Sequence, residues 1–175
     1  SASQAGVLRD DALAALQGML SKLGPNDRVK LVAVDLNAVD MSRGFVSPTG
    51  PEMQAALAKL QQRAPLGATD MPLAIEAAAA SFAPGKAAHS VVYFGDGNSK
   101  ANLLTTDRLG ASVDRLVKAK AALTSYAVGR NTNLASLAAL ANQTGGVIRT
   151  STGADRAAAS GVSLASAVQA GVIWP

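Results

Sequence analysis

The strongest constraint on the fold of this chain is a short apolar stretch that ends in Gly-Asp-Gly. Residues 91–94 are Val-Val-Tyr-Phe, and the tripeptide Gly-Asp-Gly follows directly at 95–97. Such a run is typical of a strand that is buried on both faces and therefore lies inside a sheet. Ligands of open α/β sheets bind beyond the carboxyl ends of the strands. Asp96, which would lie there, is therefore the first candidate site residue.

The rest of the chain alternates helical and extended patterns. The predicted helices cover residues 7–23, 51–63, 70–82, 106–120, 134–142 and 155–169, the last with an interruption near Gly161. The predicted strands cover residues 28–35, 90–96, 123–128 and 147–150, with an irregular antiparallel edge at 38–46 and the start of a strand at 171–175. Such alternation implies parallel pairing through right-handed crossovers. We therefore predict a three-layer α/β fold: a Rossmann-like open sheet, mostly parallel, with helices on both faces and one antiparallel edge strand.

Length and composition fit a single domain over residues 1–175. Apolar residues make up 49% of the chain, but only one Trp, two Tyr and three Phe are present, which favours a binding surface over an aromatic-lined pocket. The net charge of +4 is spread without a run of Lys or Arg, so we expect no nucleic-acid partner. No apolar run approaches the ~18 residues of a membrane span.

The chain has no cysteine, which excludes disulfides, thiolate metal sites and a cysteine nucleophile. This absence fits the cytosol and a bacterial envelope equally well, so the compartment stays open. The first residues lack the basic and apolar regions of a signal peptide, and no initiator Met is present. We therefore expect the chain to be a fragment of a longer protein.

Three short polar segments are predicted to meet at one edge of the sheet. They contain Ser1 and Ser3, then Thr69 with Asp70, then Asp96. Hydroxyl and carboxylate oxygens are hard ligands that suit Mg²⁺ or Mn²⁺, and Mg²⁺ is typically held by one or two carboxylates with waters and partner oxygens. Such a site leaves a coordination position for the carboxylate of a partner.

These segments resemble the three loops of the metal-ion-dependent adhesion site in von Willebrand factor type A domains. The family pattern is Asp-x-Ser-x-Ser after the first strand, a Thr in a later loop and an Asp after the fourth strand. Residues 126–129 and 137–146 also resemble the late strand and helix of that family, so the likeness covers residues 1 to about 150. The residues so implied are the metal ligands Ser1, Ser3, Thr69 and Asp96, and their neighbours Asp70, Gly97 and Asn98.

The resemblance implies a non-catalytic protein-binding module in which Mg²⁺ or Mn²⁺ bridges to an acidic group of a protein partner. It slightly favours a bacterial cell envelope or extracellular location over the cytoplasm. The first Asp of the family pattern, and the central strand that carries it, would precede Ser1. The resemblance therefore implies a fragment that lacks the N-terminal central strand and binds metal weakly.

Each of these residues also has a purely structural interpretation. Asp96 could close a turn, because Asp-Gly is a frequent turn pair. Thr69 and Asp70 could serve only as the first residues of a helix, and the N-terminal serines could belong to a disordered terminus. His89, the only histidine, is interpreted as structural because it lies at the start of its strand, away from the predicted site.

Two other functions remain open at this stage. One is a structural domain of the same fold without a working metal site. The other is a metal-dependent Rossmann-like hydrolase that uses Asp96. The second is disfavoured because the sequence has no Gly-rich phosphate loop, no Gly-x-Ser-x-Gly and no histidine near the site.

Overall fold

The structure is a computed structural model that describes residues 6–64, 69–85, 87–151 and 153–174. Its helices are α1 (Val7–Leu20), α2 (Pro51–Gln62), α3 (Met71–Ala80), α4 (Thr106–Lys118), α5 (Leu134–Thr144) and α6 (Ala154–Gln169). Its strands are β1 (Val32–Val34), β2 (Ala38–Asp40), β3 (His89–Gly95), β4 (Ala121–Ala127) and β5 (Ile148–Thr150).

The described strands form two sheets. β3, β4 and β5 make a parallel sheet in that order, and β3 pairs with β4 over its whole length, from His89 opposite Ala121 to Gly95 opposite Ala127. β1 and β2 form an antiparallel pair, extended by a bridge between Val29 and Val46. The predicted α/β class, the parallel pairing of the central strands and the antiparallel segment are confirmed.

Side chains that alternate along β3 separate the two helical layers. Val92 and Phe94 pack in a core with residues of α1, α2 and α6, whereas Val91 and Tyr93 pack in a second core with residues of α3, α4 and α5. Successive side chains of a strand point to opposite faces of the sheet. The predicted arrangement of helices on both faces is therefore confirmed, but residues 91–94 are half-buried rather than fully buried as predicted.

Local capping explains why several helices begin where the sequence predicts. The Asp70 carboxylate accepts a hydrogen bond from the Leu73 N–H at 3.0 Å, and the Asn133 side chain accepts one from the Ser136 N–H at 3.2 Å. These bonds satisfy N–H groups that have no partner within the helix. α5 ends at Thr144, and its C-cap residue Gly145 has a φ of 75°, which favours glycine.

Three predicted details are wrong. α1 ends at Leu20, because the chain turns at Ser21 while Leu23 still packs on the core without being helical. Residues 171–174 form no strand, since none of the described strands pairs with them. α6 runs without interruption through Gly161, so this glycine does not end the helix.

Gly161 instead permits close contact between α6 and α1. A Cβ atom at Gly161 would overlap the Ala15 carbonyl oxygen, and one at Gly18 would overlap the Ala158 carbonyl oxygen. In both cases the added Cβ would meet backbone atoms, which cannot rotate away as a side chain could. The two helices therefore pack closely because each has a glycine opposite the backbone of the other.

We expect Gly161→Ala to lower the free energy of unfolding by about 1 to 3 kcal/mol, because the added methyl group would overpack this contact. Gly110→Ala in α4 is the matched control, since Gly110 is exposed and a Cβ there meets nothing within 4 Å. The control should be more stable than the parent by about 0.5 to 1 kcal/mol, because Ala is the better helix former. Urea unfolding measures both, and changes of the same sign would contradict the assigned contact.

Candidate functional site

Asp96 lies at the carboxyl end of β3 and is almost fully buried, with 4% of its surface exposed. Its carboxylate accepts a hydrogen bond from the Asn98 N–H at 3.0 Å, and its carbonyl oxygen accepts one from the Asn133 N–H at 2.7 Å. A Cβ atom at Gly129 would lie 3.2 Å from the Asp96 Cβ. Asp96 is therefore held between its own loop and the loop that follows β4.

The segment before α3 contacts the loop after β3. The Thr69 carbonyl oxygen accepts a hydrogen bond from the Ala101 N–H at 3.2 Å, and the buried Ser99 hydroxyl accepts one from the Met71 N–H at 3.0 Å. The structure thus brings Thr69 to the loop that begins with Asp96. Ser99, which joins the two segments, was missed because a serine in a polar loop has no distinguishing sequence signal.

The Thr69 hydroxyl is buried and has no hydrogen-bond partner among the described residues. Within the same part of the chain, the only other buried side-chain atom in this state is the Ser125 hydroxyl, in the middle of β4. A buried hydroxyl without a partner costs about 1 to 3 kcal/mol, so an unpaired group in a native protein calls for an explanation such as a bound ion or water. The Thr69 hydroxyl oxygen could therefore bind a ligand at this edge of the sheet.

The neighbours predicted for the site have defined structural roles. Asp70 caps α3, as its structural interpretation proposes, and its N–H donates to the Asp35 carbonyl oxygen at 2.9 Å. Gly97 has a φ of 73°, and a Cβ there would lie 2.8 Å from the Leu137 Cγ, so no other residue fits without strain. The Asn98 side chain donates to the Asn131 carbonyl oxygen at 2.6 Å and so connects the loops after β3 and β4.

Tyr93 reaches this loop from within β3. Its hydroxyl accepts a weak hydrogen bond from the Gly97 N–H at 3.4 Å, and the ring passes so close to Gly95 that a Cβ there would overlap the hydroxyl. Burial, together with the nearby charge of Asp96, raises the pKa of Tyr93. Tyr93 is therefore a neutral group under the Asp96 loop, and Gly95 makes room for it.

Two predicted ligands, Ser1 and Ser3, lie outside the described residues. His89 lies at the opposite end of β3 from Asp96, where its Nδ1 is 2.8 Å from the Ala119 carbonyl oxygen and its ring stacks on Phe82. The structural interpretation of His89 fits this position.

Asp35, at the end of β1, is a buried carboxylate that the sequence analysis did not single out. It pairs with Arg63 at 2.6 Å and accepts a hydrogen bond from the Asn37 N–H at 3.1 Å. Burial alone would raise the pKa of Asp35, but the hydrogen bonds from Arg63 and Asn37, with the charge of Arg63, lower it below its usual value. The sequence position of Asp35 could have identified it, since Asp35 follows an apolar strand as Asp96 does.

Positive charge flanks the edge at which Asp96 lies. Lys100 is exposed in the loop after β3, and Arg130 is exposed next to Gly129, which packs against Asp96. The described part of the chain contains no group of three or more His, Cys, Asp or Glu side chains that could hold a metal ion. Any cation site here would therefore depend on hydroxyl groups and on very few carboxylates.

Fold and edge geometry together define a Rossmann-like α/β domain whose loops converge at the carboxyl ends of its strands. A sequence profile described as von Willebrand factor type A domain matches residues 1–150. The chain therefore belongs to the von Willebrand factor type A domain family. A search of curated protein sequences finds no match.

Solved structures show the same fold at low sequence identity. A von Willebrand factor type A protein from Catenulispora acidiphila superposes with a TM-score of 0.78 and 15% identity, over 90% of this chain and 37% of that one. An aerotolerance-related membrane protein from Bacteroides fragilis, with multiple mutations to serines, gives a TM-score of 0.74 and 14% identity over 93% of this chain and 88% of that one. The conserved hypothetical protein BatB from Bacteroides thetaiotaomicron gives a TM-score of 0.64 and 14% identity over 91% of this chain and 87% of that one.

This chain thus spans about a third of the Catenulispora protein and most of the other two. Among the described residues, no helix combines the length and apolar character needed to cross a membrane.

We expect Asp35→Asn to lower the free energy of unfolding by about 1 to 3 kcal/mol near neutral pH, because it removes a charge-assisted hydrogen bond to Arg63. The lowered pKa of Asp35 means that the ionised carboxylate stabilises the fold above its usual pKa of 3.8 and that this contribution is lost as pH falls through the folded-state value. The difference between parent and variant should therefore shrink in acid. Urea unfolding from pH 7 to pH 3 measures it, and a difference that grows in acid would exclude the assigned role.

Proposed function

We propose that this chain is a non-catalytic protein-binding module that holds Mg²⁺ or Mn²⁺ at the carboxyl edge of its strands and uses it to bridge to an acidic group of a partner. The observation that carries the proposal is the buried Thr69 hydroxyl, which has no partner among the described residues and belongs to a segment bonded to the Asp96 loop. Membership of the von Willebrand factor type A family adds support, since such domains commonly mediate protein interactions.

The donor atoms present suit such a cation. Hydroxyl and carboxylate oxygens are hard ligands, and Mg²⁺ is usually held by one or two carboxylates while waters and partner oxygens complete its octahedron. Thr69 and Asp96 would hold the ion, directly or through water, and the family resemblance adds Ser1 and Ser3. When bound, the cation would supply a positive charge and an open coordination position, to which a carboxylate of the partner binds.

The surroundings of the edge support an acidic protein partner. Exposed Lys100 and Arg130 would attract negative charge and speed the encounter. Leu103, in the same loop as Lys100, has 72% of its surface exposed and offers an apolar contact beside these charges. A binding function is also favoured over hydrolysis because the single histidine, His89, lies at the opposite end of β3 and cannot serve as a base here.

A second candidate function is a structural domain without a working metal site. It is favoured by the carboxylates at this edge, because Asp70 is engaged as a helix cap and Asp35 is paired with Arg63. Asp96 then remains as the one acidic ligand among these three. The two candidates differ in what removal of the Thr69 hydroxyl should do.

Thr69→Val removes the hydroxyl and keeps the shape of the side chain. Without metal, we expect this variant to be as stable as the parent or more stable by up to about 1 kcal/mol, because a buried unpaired hydroxyl is lost. Its affinity for Mg²⁺ should fall at least about tenfold, equivalent to about 1.4 kcal/mol, because a ligand is lost. Isothermal titration with Mg²⁺, together with urea unfolding, measures both.

Ser125→Ala is the matched control, since it removes the other buried unpaired hydroxyl from the middle of β4. It should show the same change in stability with no change in Mg²⁺ affinity. If both variants leave Mg²⁺ binding unchanged, the structural candidate replaces the metal-dependent one.

Asp96→Asn should abolish stabilisation by Mg²⁺. A ligand that binds only the folded state at a hundredfold excess over its Kd stabilises that state by about 2.7 kcal/mol, which is visible as a rise in melting temperature. We expect this rise in a polypeptide that carries the upstream Asp of the family pattern, a much smaller rise in residues 1–175, and none after Asp96→Asn.

The control for Asp96→Asn is Asp114→Asn, which makes the same charge change at an exposed position of α4. Calorimetry with and without MgCl₂ compares the proteins. An equal rise in melting temperature with MgCl₂ in all of these proteins would show that Asp96 does not belong to the metal site.

A further inference from the structure

Three exposed leucines lie in the loops around Thr69 and Asp96. Leu36, Leu103 and Leu134 have 56%, 72% and 43% of their surface exposed. In the described part of the chain seven large apolar side chains are exposed, and these three are the leucines among them. Single apolar side chains are common on protein surfaces, whereas apolar side chains grouped around one site mark a binding surface. The position of the three leucines therefore bears on what binds at this edge.

Backbone hydrogen bonds place the loops of Leu36 and Leu103 on opposite sides of the peptide that joins Thr69 to Asp70. The N–H of this peptide donates at 2.9 Å to the carbonyl oxygen of the residue before Leu36. Its C=O accepts at 3.2 Å from the N–H of Ala101, two residues before Leu103. The N–H and C=O of a trans peptide point in opposite directions. The segment that carries the Thr69 hydroxyl therefore lies between the two loops.

The loop after β4 brings Leu134 to the same site. The N–H of the preceding residue, Asn133, donates to the Asp96 carbonyl oxygen at 2.7 Å. Each of the three leucines is thus within two residues of a backbone hydrogen bond to Thr69, Asp70 or Asp96. The leucines therefore flank the polar centre of the proposed site.

The loops after β3 and β4 also carry positive charge. Residues 97–106 and 128–136 include Lys100 and Arg130, both exposed, and contain no Asp or Glu. Such loops attract negative charge and repel positive charge. A partner that fits both the leucines and the charges must therefore be acidic and apolar at the same place.

We infer that the protein partner presents its carboxylate between large apolar side chains, which pack on Leu36, Leu103 and Leu134. This inference rests on the proposed function, because the carboxylate binds the cation that Thr69 and Asp96 would hold. Apolar contacts that exclude water around a charged pair strengthen its attraction, since electrostatic interactions are stronger at a lower dielectric constant. An anionic membrane fits less well, because recognition of acidic lipids usually takes about four to eight clustered Lys or Arg residues.

Selection from a displayed library of short random peptides tests the inference without a known partner. The chain is immobilised in MgCl₂ at the concentration that saturates the metal site in the isothermal titration. We expect the enriched peptides to contain Asp or Glu with large apolar residues close by on both sides. Enriched acidic peptides without apolar neighbours would overturn the inference, as would the absence of any enriched peptide.

Leu36→Ser and Leu103→Ser should each weaken the binding of an enriched peptide by about tenfold, because an apolar contact in the interface is lost. Val117→Ser is the matched control, since Val117 is 41% exposed near the end of α4, which leads to the start of β4 at the opposite edge of the sheet. The control should bind the peptide as the parent does. Fluorescence anisotropy of the labelled peptide measures these affinities.

Titration with Mg²⁺ separates this inference from the proposed function. A leucine offers no donor atom to a cation, so Leu103→Ser should bind Mg²⁺ as the parent does while its peptide affinity falls. Thr69→Val should lose affinity for both. If the parent binds Mg²⁺ and the leucine variants bind the peptide as tightly as the parent, only this inference fails. If the parent binds no Mg²⁺, the proposed function fails and this inference fails with it.

The positive charges are tested in the same assay. Lys100→Glu should slow association of the peptide by about threefold or more at low ionic strength, because electrostatic steering is reversed. Lys118→Glu, at an exposed position in the last turn of α4, is the control and should change the rate little. Co-sedimentation with vesicles of phosphatidylcholine and phosphatidylserine should show no binding. Vesicle binding that Leu103→Ser abolishes would assign this edge to lipid and overturn the inference.

Discussion

The pairing of β3 with β4 is the contact on which both helical layers depend. All seven residues of β3 have partners in β4, and every residue of β4 is buried. Because side chains alternate across a strand, this single pairing gives α1 and α6 one apolar face and α3, α4 and α5 the other. The loops at the carboxyl ends of both strands then begin side by side, which places Asp96 next to Gly129.

A buried polar contact fixes α1 on this sheet. The Asp11 carboxylate accepts hydrogen bonds from the Tyr126 hydroxyl at 2.7 Å and from the Ser151 hydroxyl, and it is almost fully buried. Burial and the bond to Asp11 raise the pKa of Tyr126 to about 12, so its hydroxyl keeps its proton and remains a donor. A buried carboxylate is tolerated only when it is hydrogen-bonded. This contact therefore fixes the position of α1 together with the glycine contacts between α1 and α6.

The candidate site depends on backbone contacts as much as on its polar side chains. Ser99 joins the start of α3 to the loop after β3, and Asp35 holds the Asp70 N–H through its carbonyl oxygen. Gly97 and Gly129 have backbone conformations that other residues rarely adopt, with φ of 73° and 138°. Several of these groups hold the segment that contains Thr69 against the loop that begins with Asp96, as is usual for loops that carry function on a rigid scaffold.

The sequence by itself determined the local features of the protein. The run at 91–94 specified a strand whose side chains pack on both faces of the sheet, and the caps at Asp70 and Asn133 specified where α3 and α5 begin, because these signals involve neighbouring residues only. The family pattern also placed Thr69 and Asp96 on adjoining loops. Only the tertiary structure decided the burial of the Thr69 hydroxyl, the pairing of Asp35 with Arg63 and the contact of Gly161 with α1. Each of these joins residues far apart in the chain, and no local pattern records which distant backbone or charge a residue will meet.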